Sequence, residues 1–378
     1  AGTAITTGDY NVAIGFEALA TEDTASRNTA IGYRSLKTNN GGDNNTAVGE
    51  NSGTAVTTGH NNTLIGQDAG EALTDADYNV ALGSDALDAD TLGSNSTAIG
   101  FAALGTQNFT TATDTYNVAV GYNAGGAITT GVQNTLIGGL AGDALTDSSA
   151  NVAVGYRSLT TASTGEFNTA IGREALEAQT TTDHNTAVGH RAGKAITTGT
   201  ENTFLGSGAG DALTDSDENV AVGYQALSSD TLGQYSVAIG RSALTAQNFT
   251  TATSTYNTAV GYVAGNAVTT GIENTFLGAG AGDALTDADY NVALGSFALS
   301  ADTLGSRSVA IGRRSLFAQN FTTATDTYNT AVGYEAGVAV TTGTLNSLIG
   351  GLAGDNLTIG SRNVAVGVSA LHNDLAGS

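Results

Sequence analysis

Residues that could carry chemistry are few in this chain. The four histidines are His60, His184, His190 and His372, and they have neither the spacing of metal ligands nor that of a catalytic triad. Glycine-dense stretches such as 206–210 lack the Lys-Ser/Thr pair of a phosphate-binding loop. The sequence therefore predicts no catalytic residue, no cofactor and no metal ligand, and we expect that the chain is not an enzyme.

Acidic residues form clusters that recur along the chain. They lie at Asp75/Asp77, Asp147, Asp215/Asp217/Glu218 and Asp287/Asp289. Carboxylates that stack between neighbouring segments could hold Ca²⁺, but the bidentate ligand pattern of a calcium-binding loop is missing. Calcium binding is therefore a lesser alternative.

The overall composition limits the classes of partner. The 378 residues include 52 Gly and no Pro, Cys, Met or Trp, and 12 basic against 35 acidic residues give a formal charge of -23. Such a surface repels phosphate backbones and anionic lipids, so nucleic acid is a poor partner. No apolar run of 18 residues is present, so we expect no membrane insertion.

An internal repeat dominates the sequence. The pentad Asn-Thr/Val-Ala-Ile/Val-Gly recurs so that 21 closing glycines, from Gly15 to Gly367, are separated by seventeen intervals of 17 residues and three of 21. A fixed period of this kind is typical of solenoids, and β-branched residues favour strands over helices. The sequence predicts an all-β fold: a parallel β-solenoid (β-roll) of about 21 coils with a 17-residue period. We expect residues 1–378 to form one continuous fibre segment, uncapped at both ends.

Period-two alternation places the residues one and three before each glycine on one face of the strand and the intervening residue on the other. We expect the Ile/Val/Leu and Thr/Val positions to point into the coil. The intervening position, usually Ala, would then face outward. It is large in every fourth coil, at Leu64, Leu136, Phe204, Phe276 and Leu348. Because a stripe of alanines and bulky apolar residues is not typical of a solvated surface, these five residues are predicted to form the interface of a homo-oligomer, most simply a trimer. In the alternative, the stripe is internal, the Thr/Val row faces out and the protein is a monomer.

A second pattern concerns core volume. The residue four after each glycine runs Leu, Leu, Gly, Gly throughout, and coils with Gly carry an aliphatic residue three positions later, as at Val56 and Leu73. Because an unfilled leucine-sized hole costs roughly 2–5 kcal/mol, this exchange indicates a packed interior.

Asparagine opens the pentad in 18 coils and predicts a ladder of stacked amides. Serine replaces it at the start of the three 21-residue coils, and their extra residues predict inserted loops near 105–116, 245–256 and 317–328. The aromatic residues of these loops either contact a partner or fold back over the insertion. They are Phe109, Tyr116, Phe249, Tyr256, Phe321 and Tyr328.

The pentads 11–15 and 28–32 and their copies resemble the repeats of long bacteriophage tail fibres and of YadA-like trimeric autotransporter adhesin heads. This resemblance implies a trimeric β-roll outside the cell, on a virion tail fibre or a bacterial cell surface. It also implies a structural shaft that acts in host attachment and meets a surface glycan or protein receptor.

Three alternatives stay open beside the fibre. A carbohydrate-active, tailspike-like fibre would need paired carboxylates in a groove, and no unique pair departs from the repeat. A calcium-binding solenoid is the second. An ice-binding solenoid would need Thr on successive coils, whereas the Thr-Thr-Gly corners recur only every fourth coil and the Thr/Val row is expected to point inward.

Overall fold

The structure is a computed structural model that describes residues 1–373. Within it the chain divides into two compact units, residues 1–185 and residues from 186 onward, and each is described by itself. Residues 374–378 of the predicted solenoid lie outside the described residues. The all-β parallel solenoid with a 17-residue period is confirmed, and residues 1–373 contain no helix. That the two units form one continuous segment stays a prediction.

Each pentad forms a three-residue strand, and each of the three inserted loops contributes a two-residue strand that pairs with a two-residue strand of the preceding coil. The strands of the first unit are Val12–Ile14, Thr29–Ile31, Thr46–Val48, Thr63–Ile65, Val80–Leu82, Gly93–Ser94, Thr97–Ile99, Thr113–Asp114, Val118–Val120, Thr135–Ile137, Val152–Val154 and Thr169–Ile171. The strands of the second unit are Thr186–Val188, Thr203–Leu205, Val220–Val222, Gly233–Gln234, Val237–Ile239, Thr253–Ser254, Thr258–Val260, Thr275–Leu277, Val292–Leu294, Gly305–Ser306, Val309–Ile311, Thr325–Asp326, Thr330–Val332, Ser347–Ile349 and Val364–Val366.

Within each unit every pentad strand pairs in parallel with the pentad strand of the next coil. Equivalent residues face each other, as in Thr135 with Val152 and Leu136 with Ala153. The pentad glycine makes this stacking possible. Gly121 has φ +144°, and a Cβ on it would clash with the carbonyl oxygen of Gly138 in the next coil. Only glycine meets both the positive φ and the close approach.

The burial of the strands corrects the predicted orientation. From Ala30 onward the central residue of every described pentad strand is buried, whereas its two neighbours are exposed or half-exposed. The assignment of the Ile/Val/Leu and Thr/Val rows to the interior was wrong. The five bulky residues predicted as an oligomer interface lie inside the coil of their own chain, each fully buried: Leu64, Leu136, Phe204, Phe276 and Leu348.

The bulky residues are inside because they occupy space that the paired glycines leave empty. A Cβ on Gly53 would lie 2.7 Å from Leu64 Cδ1, and one on Gly70 would lie 2.8 Å from Leu64 Cδ2. Leu64 is thus wedged over both glycines. In coils with leucine at the equivalent position, such as Leu36, the leucine takes that space and the strand residue is alanine, as at Ala30. The predicted exchange of core volume between the positions four and seven after the glycine is confirmed. The central residue of the strand also takes part in this exchange.

The asparagine ladder is present, but it runs mainly through the backbone. The N–H of Asn28 donates to Asn11 Oδ1 at 2.8 Å, and the Asn28 side-chain amide donates to the Gly42 carbonyl at 2.8 Å. A direct amide-to-amide bond also occurs, from Asn62 Nδ2 to Asn45 Oδ1 at 3.1 Å. Each buried asparagine therefore ties its coil to both neighbours and satisfies a corner carbonyl that would otherwise be orphaned.

Candidate interaction surface

The residues immediately before the pentad glycines form a row on the outside of each unit, here called the outer aliphatic row. All 21 are Ile, Val or Leu, and none is buried. Ten of them expose more than a third of their surface: Ile14, Leu82, Ile137, Ile171, Leu205, Ile239, Leu277, Leu294, Ile349 and Val366. The pairing of strands places the members of the row on successive coils, so each unit presents a continuous apolar stripe.

Two neighbouring rows border this stripe. The Thr/Val residues three before each glycine also face outward, for example Thr29, Thr46 and Thr63 on three successive coils. The residue after each glycine is often aromatic, and several of these rings stack: Phe101 lies 5.6 Å from Tyr122 between ring centroids. The outer face of the sheet therefore carries an aliphatic row, flanked on one side by the Thr/Val row and on the other by a row that is aromatic in several coils.

The three insertions bring aromatic and polar residues to the surface in a shared arrangement. Thr113–Asp114 pairs in parallel with Gly93–Ser94 of the preceding coil. Residues 110–112, which connect Phe109 to this strand, are exposed. Phe109 folds back and is buried, as are Phe249 and Phe321. These phenylalanines therefore cover the insertion, as the second of the two interpretations expects.

The tyrosines of the insertions do not fold back. Tyr116, Tyr256 and Tyr328 each expose at least half of their surface. For these three residues the expectation of a covering role was wrong, and a role in partner contact stays a prediction.

Under each insertion lies a buried carboxylate that the sequence analysis missed. Asp90 Oδ1 accepts from the N–H groups of Gly93 and Phe109, each at 3.1 Å, and Oδ2 accepts from Gln107 Nε2 at 2.6 Å. The same arrangement recurs at Asp230 with Gln247 and at Asp302 with Gln319. Burial raises the pKa of Asp90 above its ordinary value, although its hydrogen bonds act in the opposite direction.

This acid–amide pair explains why serine opens the insertion coils. Gln107 Nε2 also donates to Ser96 Oγ at 2.9 Å, and Gln107 Oε1 accepts from Asn117 Nδ2 at 2.8 Å. Gln107 thus takes the place of the asparagine that Ser96 replaces, and it connects the ladder to Asn117. The signal in the sequence was available. The position seven after each pentad glycine is mostly polar in the Leu coils and aliphatic in the Gly coils, and it is buried in every coil whose position seven lies within residues 1–373.

The acidic clusters weighed as calcium sites accept hydrogen bonds within the stack. Asp75 Oδ1 accepts from Thr58 Oγ1 at 2.7 Å, and Asp77 Oδ1 accepts from the His60 N–H at 2.6 Å. The clusters at Asp215/Asp217 and Asp287/Asp289 accept equivalent bonds from the preceding coil. Among residues 1–373 no group of three or more His, Asp or Glu side chains converges as a metal site.

No protein-family model matches this chain, and no curated protein matches it either. The tail-fibre and adhesin resemblance therefore rests on the pentads and stays a prediction. The described part of the chain contains no helix that is long and apolar enough to cross a membrane.

A cleft lies on the second unit. It has a volume of about 180 Å³ and is lined by residues of three successive coils, among them His190, Arg191, Asp211 and Tyr224. Burial raises the pKa of Asp211, while the charges of Arg191 and Lys194 lower it. The remaining histidines make local contacts: His184 stacks on Phe167 at 5.3 Å, and His372 Nδ1 lies 2.7 Å from Asp355 Oδ1.

Proposed function

We propose that the chain is a structural segment of an extracellular attachment fibre, on a virion or a bacterial cell surface, and that it assembles into a homo-oligomer through the outer aliphatic row. The observation that carries the proposal is the continuity of this row. Single exposed leucines are common on soluble proteins, but a contiguous apolar stripe of this length is typical of an interaction surface. Because the same residue type recurs in every coil, identical copies of the row are complementary to one another.

A trimer is the simplest assembly that would cover the row. Three outer faces that meet around one axis shield all three stripes, and the tail-fibre and adhesin resemblance supports the same number. The interface differs from the predicted one: the Ile/Val/Leu row takes the place of the stripe that contains Leu64 and Phe204. Attachment would then fall to groups away from this face, such as the exposed insertion tyrosines, with a surface glycan or protein as receptor.

Multi-angle light scattering coupled to size exclusion tests the assembly. The wild-type chain is expected at three times the 37.5 kDa chain mass. Charges on three successive members of the row, in the variant Val120→Lys/Ile137→Lys/Val154→Lys, are expected to give the single-chain mass. The matched control Thr110→Lys/Thr111→Lys/Ala112→Lys adds the same charge to an insertion and is expected to keep the wild-type mass. A wild-type mass of one chain, or dissociation by the control alone, would contradict the proposal.

One observation favours a second candidate. The outward Thr row, with Thr on three successive coils at Thr29, Thr46 and Thr63, has the regular spacing of roughly 4.8 Å that an ice-binding face needs. The outward orientation removes the argument that the Thr/Val row points inward, although Val80 and other valines interrupt the row. Thermal hysteresis in the wild type that the Thr46→Lys variant abolishes would favour ice binding over the fibre. A tailspike-like glycosidase would instead release sugar from a polysaccharide substrate.

A further inference from the structure

Two of the three insertions share a frame of identical residues around one position that differs. In the third insertion the frame consists of Tyr290, Tyr328 and Asp326, and Arg307 lies between the two tyrosines. In the first insertion the equivalent frame is Tyr78, Tyr116 and Asp114, and Asn95 takes the position of the arginine.

The backbone of the two frames is the same. Arg307 and Asn95 both have a left-handed conformation, with φ +62° and +64°. Each donates its N–H to the carbonyl of the aspartate one coil earlier, at 3.0 Å in both cases: Arg307 to Asp289 and Asn95 to Asp77. The comparison therefore isolates the effect of one side chain.

Arg307 shows what the frame binds. Its guanidinium carbon lies 4.6 Å from the centroid of the Tyr290 ring and 5.9 Å from that of Tyr328, and its Nε lies 2.9 Å from Asp326 Oδ1. The cation thus meets two π faces and one carboxylate, the combination that favours a planar guanidinium. Asp326 accordingly raises the pKa of Arg307.

In the first insertion the same frame is open. Tyr78 exposes 60% of its surface, whereas Tyr290, its equivalent under the arginine, exposes 39%. Asn95 Nδ2 donates to Asp114 Oδ1 at 2.8 Å. The second carboxylate oxygen of Asp114 is left to accept a further donor, because a carboxylate accepts at about four positions.

We propose that the frame Tyr78–Asp114–Tyr116 binds an arginine side chain of a partner polypeptide, in the pose that Arg307 adopts in the third insertion. The acidic surface of the chain favours a cationic partner. The proposal goes beyond the fibre function and does not depend on it, because all three groups of the frame belong to one chain.

The second insertion provides an internal negative control. There Tyr235 takes the central position and stacks on Tyr256 at 5.3 Å between centroids, and Ser254 replaces the aspartate of the frame. Here Tyr235 covers one ring face of Tyr256, Glu218 takes the place of Tyr78, and Ser254 supplies no carboxylate. The arrangement of two separated rings and an aspartate is therefore missing, and this frame is not expected to take the guanidinium in the same pose.

The test is ¹⁹F NMR of the full chain labelled with 3-fluorotyrosine, with resonances assigned by single Tyr→Phe variants. The probes are N-acetyl-arginine amide and, at equal ionic strength, N-acetyl-lysine amide. The arginine probe is expected to shift Tyr78 and Tyr116 saturably and several-fold more than the lysine probe does. Tyr290, Tyr328, Tyr235 and Tyr256 are expected not to respond.

A reciprocal exchange completes the test, and circular dichroism checks that both variants fold. Asn95→Arg fills the first frame and is expected to abolish the response of Tyr78 and Tyr116. Arg307→Asn opens the third frame and is expected to make Tyr290 and Tyr328 respond. The proposal is overturned by any of three results: no saturable shift at Tyr78, equal shifts with both probes, or an unchanged response in Asn95→Arg.

Discussion

The wedge of Leu64 over two glycines makes a specific prediction about energetic coupling. Leu64→Ala removes a fully buried side chain and is expected to lower the free energy of unfolding by about 2–5 kcal/mol. Gly70→Ala is expected to cost about 1–2 kcal/mol for its left-handed backbone, at φ +58°, and about 1–3 kcal/mol more for overpacking. The overpacking arises because the new Cβ would lie 2.8 Å from Leu64 Cδ2 and from Leu73 Cδ1.

In the double variant part of the overpacking disappears, because the new methyl group enters the space that Leu64 has vacated. The two changes should therefore be less costly together than their sum by about 1 kcal/mol or more. Urea unfolding followed by circular dichroism measures the global effect. Native-state hydrogen exchange of residues 46–82 measures the local effect, which matters because stacked repeats open locally.

A matched control is Gly208→Ala, which has a similar backbone, at φ +66°, but whose Cβ would make only ordinary contacts, the nearest to Gln225 Cγ at 3.6 Å. Combined with Leu64→Ala, it should be additive within about 0.3–0.5 kcal/mol. Additivity of Leu64→Ala with Gly70→Ala would refute the internal wedge and would return Leu64 to the outer face.

Three further predictions concern the buried and acidic groups. Gln247→Leu removes the donor to the buried carboxylate of Asp230, so urea unfolding should show a loss of about 1.5–3 kcal/mol, whereas the same change at the exposed Gln133 should have little effect. Burial raises the pKa of Asp143 and Asp283, so the native chain holds protons that the unfolded chain releases, and stability falls as pH rises through the raised pKa values. The thermal midpoint should therefore be higher near pH 4, close to the ordinary aspartate pKa of 3.8, than near pH 7, and Asp143→Asn/Asp283→Asn should reduce that difference; an unchanged difference would contradict it. A chelator should leave the thermal midpoint unchanged, because Asp75 and Asp77 already accept bonds from the preceding coil; a lower midpoint would restore the calcium hypothesis.

The repeat itself could be predicted because its determinants are local. The glycine at Gly121 and its equivalents, the period of 17 and the exchange between Leu36-type and Gly53-type coils all follow from residue types at fixed spacing. Strand pairing then follows because identical neighbours place equivalent residues opposite each other.

The orientation of the strand could not be derived from alternation alone. Period two separates the central residue of each strand, such as Leu136, from the flanking Thr135 and Ile137, but all of these rows are compatible with a buried face. The orientation depends on the distance from the strand to the opposite wall of the coil, because that distance sets how large a side chain fits inside. The sequence did carry one usable signal: the bulky residues occur only where two successive coils carry glycine, so they fill that gap.

The acid–amide pairs beneath the insertions were missed for a different reason. Asp90 and Gln107 are 17 residues apart and polar, so alone they are typical of a surface. Only their position seven after a pentad glycine, which Val56 and Leu73 also occupy, shows that both side chains point inward.

The most direct test of the central claim uses cysteines in one pentad strand, because the chain has none of its own. In Val152–Val154 the middle residue is buried and Val154 belongs to the outer aliphatic row. Under mild oxidant Val154→Cys should form a disulfide between chains, seen as a covalent dimer on a denaturing gel. Ala153→Cys should stay unreactive toward thiol reagents until the chain unfolds. A covalent dimer through position 153, with none through position 154, would contradict both the orientation of the strand and the proposed interface.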